Sequence, residues 1–325
     1  MKKIAVLFIA LLFIGCTQNA IYVVRLSPPD MVEQFKLKQI DGYVAWEPFV
    51  SKGAKYGKVL LTSHEIWSNH PCCVVASGDI NESALNAVVW AHIKATSFIK
   101  NPENREKVVE YASEFTGLER DVVENALKNI KFTTYPDEKA FRKYFKFLRD
   151  KGLVRDVNTI GFENEDEFFS NFLRKDVYEE AMKMVEMNQT PRTSEHIRIG
   201  YLTADLHQLA LYIAVKEGYL DQTGLRYELK QYKNGVAVMD AFRVNEIDVA
   251  YLGGAPATLK RINDNTKIRI VAGANNEGSA IVVQDYINSV EDLKGRKIAI
   301  PGYGTVQDFL LRIVAEEHGL KVVSK

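Results

Sequence analysis

Two short runs set glycines directly before the start of a helix. Gly253-Gly254-Ala255-Pro256 and Gly302-Tyr303-Gly304-Thr305 each follow an apolar stretch. Glycine lets a ligand approach the backbone closely. Pro256 suits a first helical position, and Thr305 can cap a helix with Asp308 at the reciprocal position. Unpaired N–H groups at such a start, together with the positive end of the helix dipole, attract an anion. Asn275 to Ser279 (NNEGS) is a third polar loop, placed before a strand. The plainer reading is that these glycines only turn the chain. Neither run is a P-loop, since no Lys-Ser/Thr follows, and neither fits GxGxxG.

Trp46-Glu47-Pro48 ends a strand with an aromatic plate, a carboxylate and a rigid turn. The ring can wall a pocket and the carboxylate can meet a cation; core packing with a surface Glu is the alternative. Of six histidines, His64, His70 and His207 fall in loops or at a helix start, within reach of a ligand. No pair has metal-binding spacing, Cys72-Cys73 beside His70 is no zinc pattern, and no GxSxG elbow occurs. We therefore expect no metal, no cofactor and no catalytic set. Cys72 and Cys73 are adjacent, which disfavours a bridge, and they read as reduced thiols in a half-buried strand.

The elements that must position these residues fall into three stretches. Ile21–Leu26, Asp41–Trp46, Lys58–Leu61 and Cys72–Ala76 read as strands, with a helix from Asp30 to Lys38. From Asn81 the pattern turns helical for about a hundred residues, with no convincing strand. Its last helix runs from Asn164 to Met187. Residues 188–195 (NQTPRTSE) read as a linker. Beyond it strands and helices alternate: strands at His196–Tyr201, Arg226–Gln231, Asp248–Leu252, Ile268–Ala272, Ser279–Gln284 and Lys297–Ile300, and a final helix from Thr305 to His318. Alternation of this kind argues for α/β architecture with mostly parallel sheets flanked by helices, and ligands then bind at the carboxyl ends of the strands.

The chain has 325 residues, with 42 basic and 42 acidic side chains. At about 100–200 residues per domain, that length suggests two domains. A balanced charge leaves no electrostatic footprint for nucleic acid. Met1-Lys2-Lys3 and the apolar run Ile4–Ile14 have the form of an export signal too short to span a bilayer. Gly15-Cys16 then resembles a lipobox, which implies lipidation of Cys16 and a membrane anchor on the outer face of the cytoplasmic membrane; a plain secretory signal is the alternative.

IRIGYLTADLHQLALYIAVKEGYL, DVAYLGGAPA and DLKGRKIAIPGYGTVQDFLL resemble the amino-terminal half of the nitrate/sulfonate/taurine family of ABC-transporter substrate-binding proteins. LSPPDMVEQFKLKQIDGYVAWEPF and HPCCVVA resemble the second half. The order is inverted relative to the family, as in a circular permutant, with Val322–Lys325 running on into Ile21–Val24; a rearranged gene is the rival account. The resemblance implies a two-lobe periplasmic-binding-protein-like fold that closes on its ligand by a hinge. Lobe II would comprise 17–70 plus 285–325. Lobe I would be 71–284, with its helical tail at about 81–187 and the linker 188–195 joining the family's usual ends.

The family's pocket, carried onto this chain, implies Asp205, His207, Gly253, Gly254, Ala255 and Ser279 in lobe I. In lobe II it implies Gly304, Thr305 and Val306, with Asp41, Trp46 and Glu47, and His70 near the crossover. Two helix starts facing one cleft favour a sulfonate, nitrate or carboxylate. Glu47 leaves room for an amine, hence a zwitterion such as taurine. The partners implied are such a ligand and the permease and ATPase subunits of an importer. Thiamine-pyrimidine synthases and menaquinone-pathway lyases share the fold, so a biosynthetic enzyme is the second hypothesis, disfavoured by the export signal. A relative whose lobes no longer close is the third.

Overall fold

The computed structural model describes residues 19–324, so the export signal and Cys16 lie outside the described residues. Twelve strands form two six-stranded sheets. They are β1 (Ala20–Arg25), β2 (Gly42–Trp46), β3 (Lys58–Thr62), β4 (Pro71–Ser77), β5 (Ile130–Phe132), β6 (His196–Leu202), β7 (Arg226–Tyr232), β8 (Val249–Gly253), β9 (Arg269–Glu277), β10 (Ser279–Val283), β11 (Lys297–Ile300) and β12 (Lys321–Ser324). The first sheet has the order β12-β1-β11-β2-β10-β3, and the second β5-β9-β4-β8-β6-β7. Helices flank both, as expected for the α/β class.

The pairing is mixed rather than mostly parallel. β1, β2, β11 and β12 pair in parallel, as do β6, β7 and β8, whereas β10 runs antiparallel to its neighbours, as do β4 and β5. For β4 and β10 the reason lies in the crossings. The chain passes between sheets after β3, through residues 63–70, and again at Gly278 between β9 and β10. A strand arriving directly from the other sheet starts at the edge where the sheets meet, so it runs opposite to a strand of a βα unit, which ends there. β4 and β10 therefore begin at the junction, while β2, β6 and β8 end at it.

Four elements differ from the sequence reading. Ser279–Val283 pairs with β2 and β3 in the first sheet, not in the lobe built from 71–284. Gly278, at φ +82°, lets the chain turn straight across. Ile130–Phe132 is a strand inside the helical stretch, paired with Asn275–Glu277 of β9, so NNEGS is largely strand. The helix expected from Asn164 to Met187 breaks into Glu165–Phe172 and Lys175–Glu186, because Leu173 bridges to Ile270 at the sheet. Lys321–Ser324 lies beside Ala20–Val23 in parallel register instead of leading into it end to end. The caps follow the sequence: Asn81, Asn164 and Thr305 each accept from a first-turn amide.

One apolar cluster joins the lobes. It runs from Met31, Phe35 and Trp46 through Trp67 to Phe141, Tyr144 and Phe309. Tyr144 and Phe147, on the helix Glu138–Asp150, pack edge-on against Phe309 with ring centroids 4.4 and 4.6 Å away. That helix follows a strand of the second sheet, while Phe309 lies on the helix that follows β11 of the first, so the contact bridges the lobes.

Candidate functional site

Where the strand ends of the two sheets meet, they line a narrow cleft whose interior leaves about 20 Å³, room for about one water molecule. Its walls come from Trp46 at the end of β2, Leu202 at the end of β6, Gly253 at the end of β8, Cys72 and Cys73 at the start of β4, and the loops Asp205–His207 and Thr305–Gln307. The lobes are closed over it. A Cβ on Gly253 would meet Val306 Cγ2 at 3.2 Å, and Asn234 Nδ2 donates to the Pro301 carbonyl at 3.3 Å beside the cleft.

Two polar groups in this wall stand out. Trp46 is 4% exposed, and its indole N–H is buried with no acceptor. Asp205 is 3% exposed and accepts from the His207 amide at 3.0 Å and from Gln208 Nε2 at 3.2 Å. Burial pushes its carboxyl up to about 8, against the pull of those two donors.

His207 links the wall to the crossing. Its Nε2 lies 3.0 Å from the Gly278 carbonyl, which can only accept, so Nε2 carries the proton. Nδ1 is then an acceptor for the Cys72 thiol at 3.4 Å. Burial holds His207 down at about 3 and pushes the Cys72 thiol well above its ordinary value. Both shifts oppose a thiolate–imidazolium pair, the species a nucleophilic cysteine requires. Cys72 and Cys73 are free and fully buried, in a strand covered on both faces rather than half-buried.

The cleft gathers Asp205, His207, Gly253, Thr305, Val306 and Trp46 from the sequence candidates. Ser279 stands behind it, accepting from Gln307 Nε2 at 3.0 Å. Gly254 and Ala255 supply first-turn amides of the helix Gly254–Asn263. A Cβ on Gly254, however, would point at the Phe141 ring, at 3.1 Å, and away from the cleft. Gly304 gives its amide to Asp308 at 2.9 Å.

Three candidates lie elsewhere. Glu47 takes the Ser51 amide and hydroxyl, both at 3.0 Å, and Asn129 Nδ2 at 2.6 Å, facing a separate crevice with His64, Lys128 and Lys131. Asp41 precedes the far end of β2 and receives the Lys297 amide and the Tyr286 hydroxyl. His70 is buried behind the wall, with Nδ1 on the Trp67 carbonyl and Nε2 unpaired. Sequence reading missed Gln307 and Cys72 as wall residues. Gln307 was findable, being a first-turn residue of a helix already placed at the cleft; Cys72 depended on the direction of β4. Among the described residues no group of three His, Cys, Asp or Glu is arranged to hold a metal, and no helix is long and apolar enough to cross a membrane.

Comparison with known proteins gives the family. The model of the NMT1-like family matches residues 10–113 and 190–325. The nitrate/nitrite binding protein NrtA of Nostoc sp. is 27% identical over 134 residues, which is 38% of this chain and 30% of that protein. The nitrate import ATP-binding protein NrtC of Synechococcus elongatus is 30% identical over 99 residues, 29% of this chain and 15% of that protein. The match thus spans a third or less of the length of these relatives. Among solved structures, the periplasmic binding protein AgaA of A. tumefaciens bound to agropinic acid covers 83% of this chain and 58% of its own at 7% identity, with a TM-score of 0.33. The sequence relatives NrtA and NrtC are named as nitrate binding and import proteins rather than biosynthetic enzymes, in keeping with the nitrate/sulfonate/taurine resemblance. With the family model matched on both sides of the helical stretch and over most of the sequence, the chain belongs to the NMT1-like family.

Proposed function

We propose that this protein is the solute-binding component of an ABC importer and captures a small anionic or zwitterionic solute in the cleft between its sheets. The observation that carries this reading is the Trp46 indole N–H, buried in the cleft wall without an acceptor. A buried donor left unpaired costs about 1–3 kcal/mol, which an acceptor on a bound solute recovers. Two helices start beside it, Gly254–Asn263 and Val306–Glu317, and first-turn amides have no acceptor within their own helix. The cleft is closed down to about the size of one water, so a solute of a few heavy atoms enters as the lobes part. Binding between two lobes joined by two crossings fits capture by hinge closure.

The same reading places the chain outside the cytoplasmic membrane, anchored through Cys16, with the family's two halves in inverted order. Support for the inversion is the position of β1 between β11 and β12, which brings both ends of the described chain into one sheet. Fractionation of cells making Cys16→Ala tests the anchor: release from the membrane supports it, and unchanged membrane association removes it.

The binding test is isothermal titration of the purified chain with nitrate, ethanesulfonate, taurine and β-alanine. At least one should bind. Trp46→Phe keeps the aromatic wall and deletes only the N–H. It should weaken that ligand about tenfold or more, the worth of a hydrogen bond to a charged group. Full affinity in Trp46→Phe, or binding of purely cationic compounds only, overturns the reading.

A further inference from the structure

Resting on that binding reading, we infer that the occupant is a zwitterion, with its cationic nitrogen on Asp205 and its anionic end at Trp46 and the helix starts. The charges of the cleft wall require both ends. No lysine or arginine lines it; its titratable side chains are Asp205, His207, Cys72 and Cys73. Asp205 is buried with two donors on its oxygens, both uncharged: a backbone amide and a glutamine side chain. A carboxylate offers about four lone-pair sites, so two stay open. The nearest basic nitrogen is His207 Nδ1, 3.6 Å from Oδ1. It faces the Cys72 thiol, and its ring is held neutral by burial. Around Asp205, then, stand a neutral imidazole and two thiols raised by burial, with no counter-charge.

The cleft wall therefore carries an unanswered donor, Trp46 Nε1–H, and a carboxyl whose two donors are both uncharged. A simple anion such as nitrate pairs with the first and holds the second in its protonated form, since an ionised carboxylate beside it in a low-dielectric cavity would repel it. A simple amine answers the carboxyl and leaves the indole unpaired. A zwitterion offers an acceptor to the indole and a cation to the carboxyl, without placing net charge in the interior. The sequence reading gave the amine to Glu47; that carboxylate is occupied by Ser51 and Asn129, and Asp205 takes the role.

Titration of the wild-type chain with taurine, β-alanine, ethanesulfonate, propionate, nitrate and ethanolamine tests this directly. A zwitterion should bind more than tenfold tighter than its partner lacking the amine, as a charged hydrogen bond requires. Asp205→Asn should remove that preference, bringing taurine down to the level of ethanesulfonate. Zwitterion affinity should also rise with pH toward about 8 as Asp205 ionises, with proton release seen as a buffer-dependent heat.

Equal binding of taurine and ethanesulfonate by the wild type overturns the inference and leaves the anion-binding reading standing. So does unchanged taurine binding in Asp205→Asn, which would mark a protonated Asp205 that donates to an anion. Ethanolamine binding as tightly as taurine overturns both, as does no binding across the panel. The wild-type comparison needs no variant, so it decides even where Asp205→Asn fails to fold.

Discussion

At Gly253–Gly254 the chain enters a helix with no side chain of its own to cap it; at Gly304–Thr305 it enters one with two. Thr305 Oγ1 accepts from the Asp308 amide at 3.3 Å, and the Asp308 carboxylate turns back to the Gly304 amide at 2.9 Å. Thr305 caps the helix, and the Asp308 carboxylate closes on the amide before the cap, while the Thr305 amide donates to the Gly302 carbonyl at 3.4 Å. The other junction has Gly253 as its cap, with no side-chain hydrogen bond. Both runs look like anion sites in sequence. The acid three residues after Thr305 is the difference: it ties one helix start back on itself, while the other has no side-chain cap and meets the cleft through Gly253 and Pro256, the latter without an N–H. At the capped junction, Val306 and Gln307 face the cleft instead of the glycines.

The largest test of this contrast compares two neighbouring glycines. A valine at 253 would put Cβ 3.2 Å from both Pro256 Cδ and Val306 Cγ2, where the lobes touch. Gly253→Val should hold the lobes apart and reduce binding of the best zwitterion at least a hundredfold, with the fold retained by circular dichroism. Gly254→Val would press on Phe141 at 3.1 Å and the Pro71 carbonyl at 3.4 Å, inside one core. It should lower the melting temperature, since overpacking costs about 1–3 kcal/mol, and change affinity far less. The reverse pattern in titration and thermal melts breaks the assignment of the open junction to Gly253.

The same two junctions show how far the sequence could be read. Strand–glycine–helix order, caps at Asn81, Asn164 and Thr305, and the two-sheet α/β class are local signals, and each has its counterpart in the structure. Direction and contact are not local. β4 and β10 run against their neighbours because each arrives from the other sheet, and no periodicity within PCCVVAS or SAIVV reports that. Glu47 follows a cleft residue in sequence, yet its side chain turns to Ser51 and Asn129, the latter 82 positions away. Ile130–Phe132 is too short to register as a strand without its partner on β9.

The lobes should also differ in their response to acid. His92 and His207 are buried on the side of the second sheet, and His70 at the crossing. Burial lowers all three from 6.5, His70 and His92 to about 4 and His207 to about 3. A histidine held neutral in the fold contributes stability that is complete above 6.5 and is lost as pH falls toward the lowered value. Each is worth on the order of 3 kcal/mol over that window. On the first-sheet side, His64 and His318 are substantially exposed. Asp205 has the opposite sign: raised from 3.8 to about 8, it favours the ligand-free fold at low pH and loses that contribution as pH rises. Between pH 6.5 and 4, hydrogen exchange should therefore quicken first in Glu82–Lys100 and β4, before β1 and β11. Simultaneous loss in both sheets would show that the lobes unfold as one unit.

The smallest effect is the most discriminating for the capped junction. Asp308→Ala removes the carboxylate's bond to the Gly304 amide and its contact with Arg312 at 2.9 Å. Losing a cap costs about 1 kcal/mol, a fall of about 2 °C in melting temperature for a domain of this size. The Gly304 amide is freed, but Gly304 does not line the cleft, so affinity should move less than threefold. Asp308→Asn can still accept from Gly304 and should recover most of the stability. If Asp308→Ala instead tightens binding tenfold, the released amide reaches the solute. The two junctions would then differ only in whether an acid occupies the site before the ligand does.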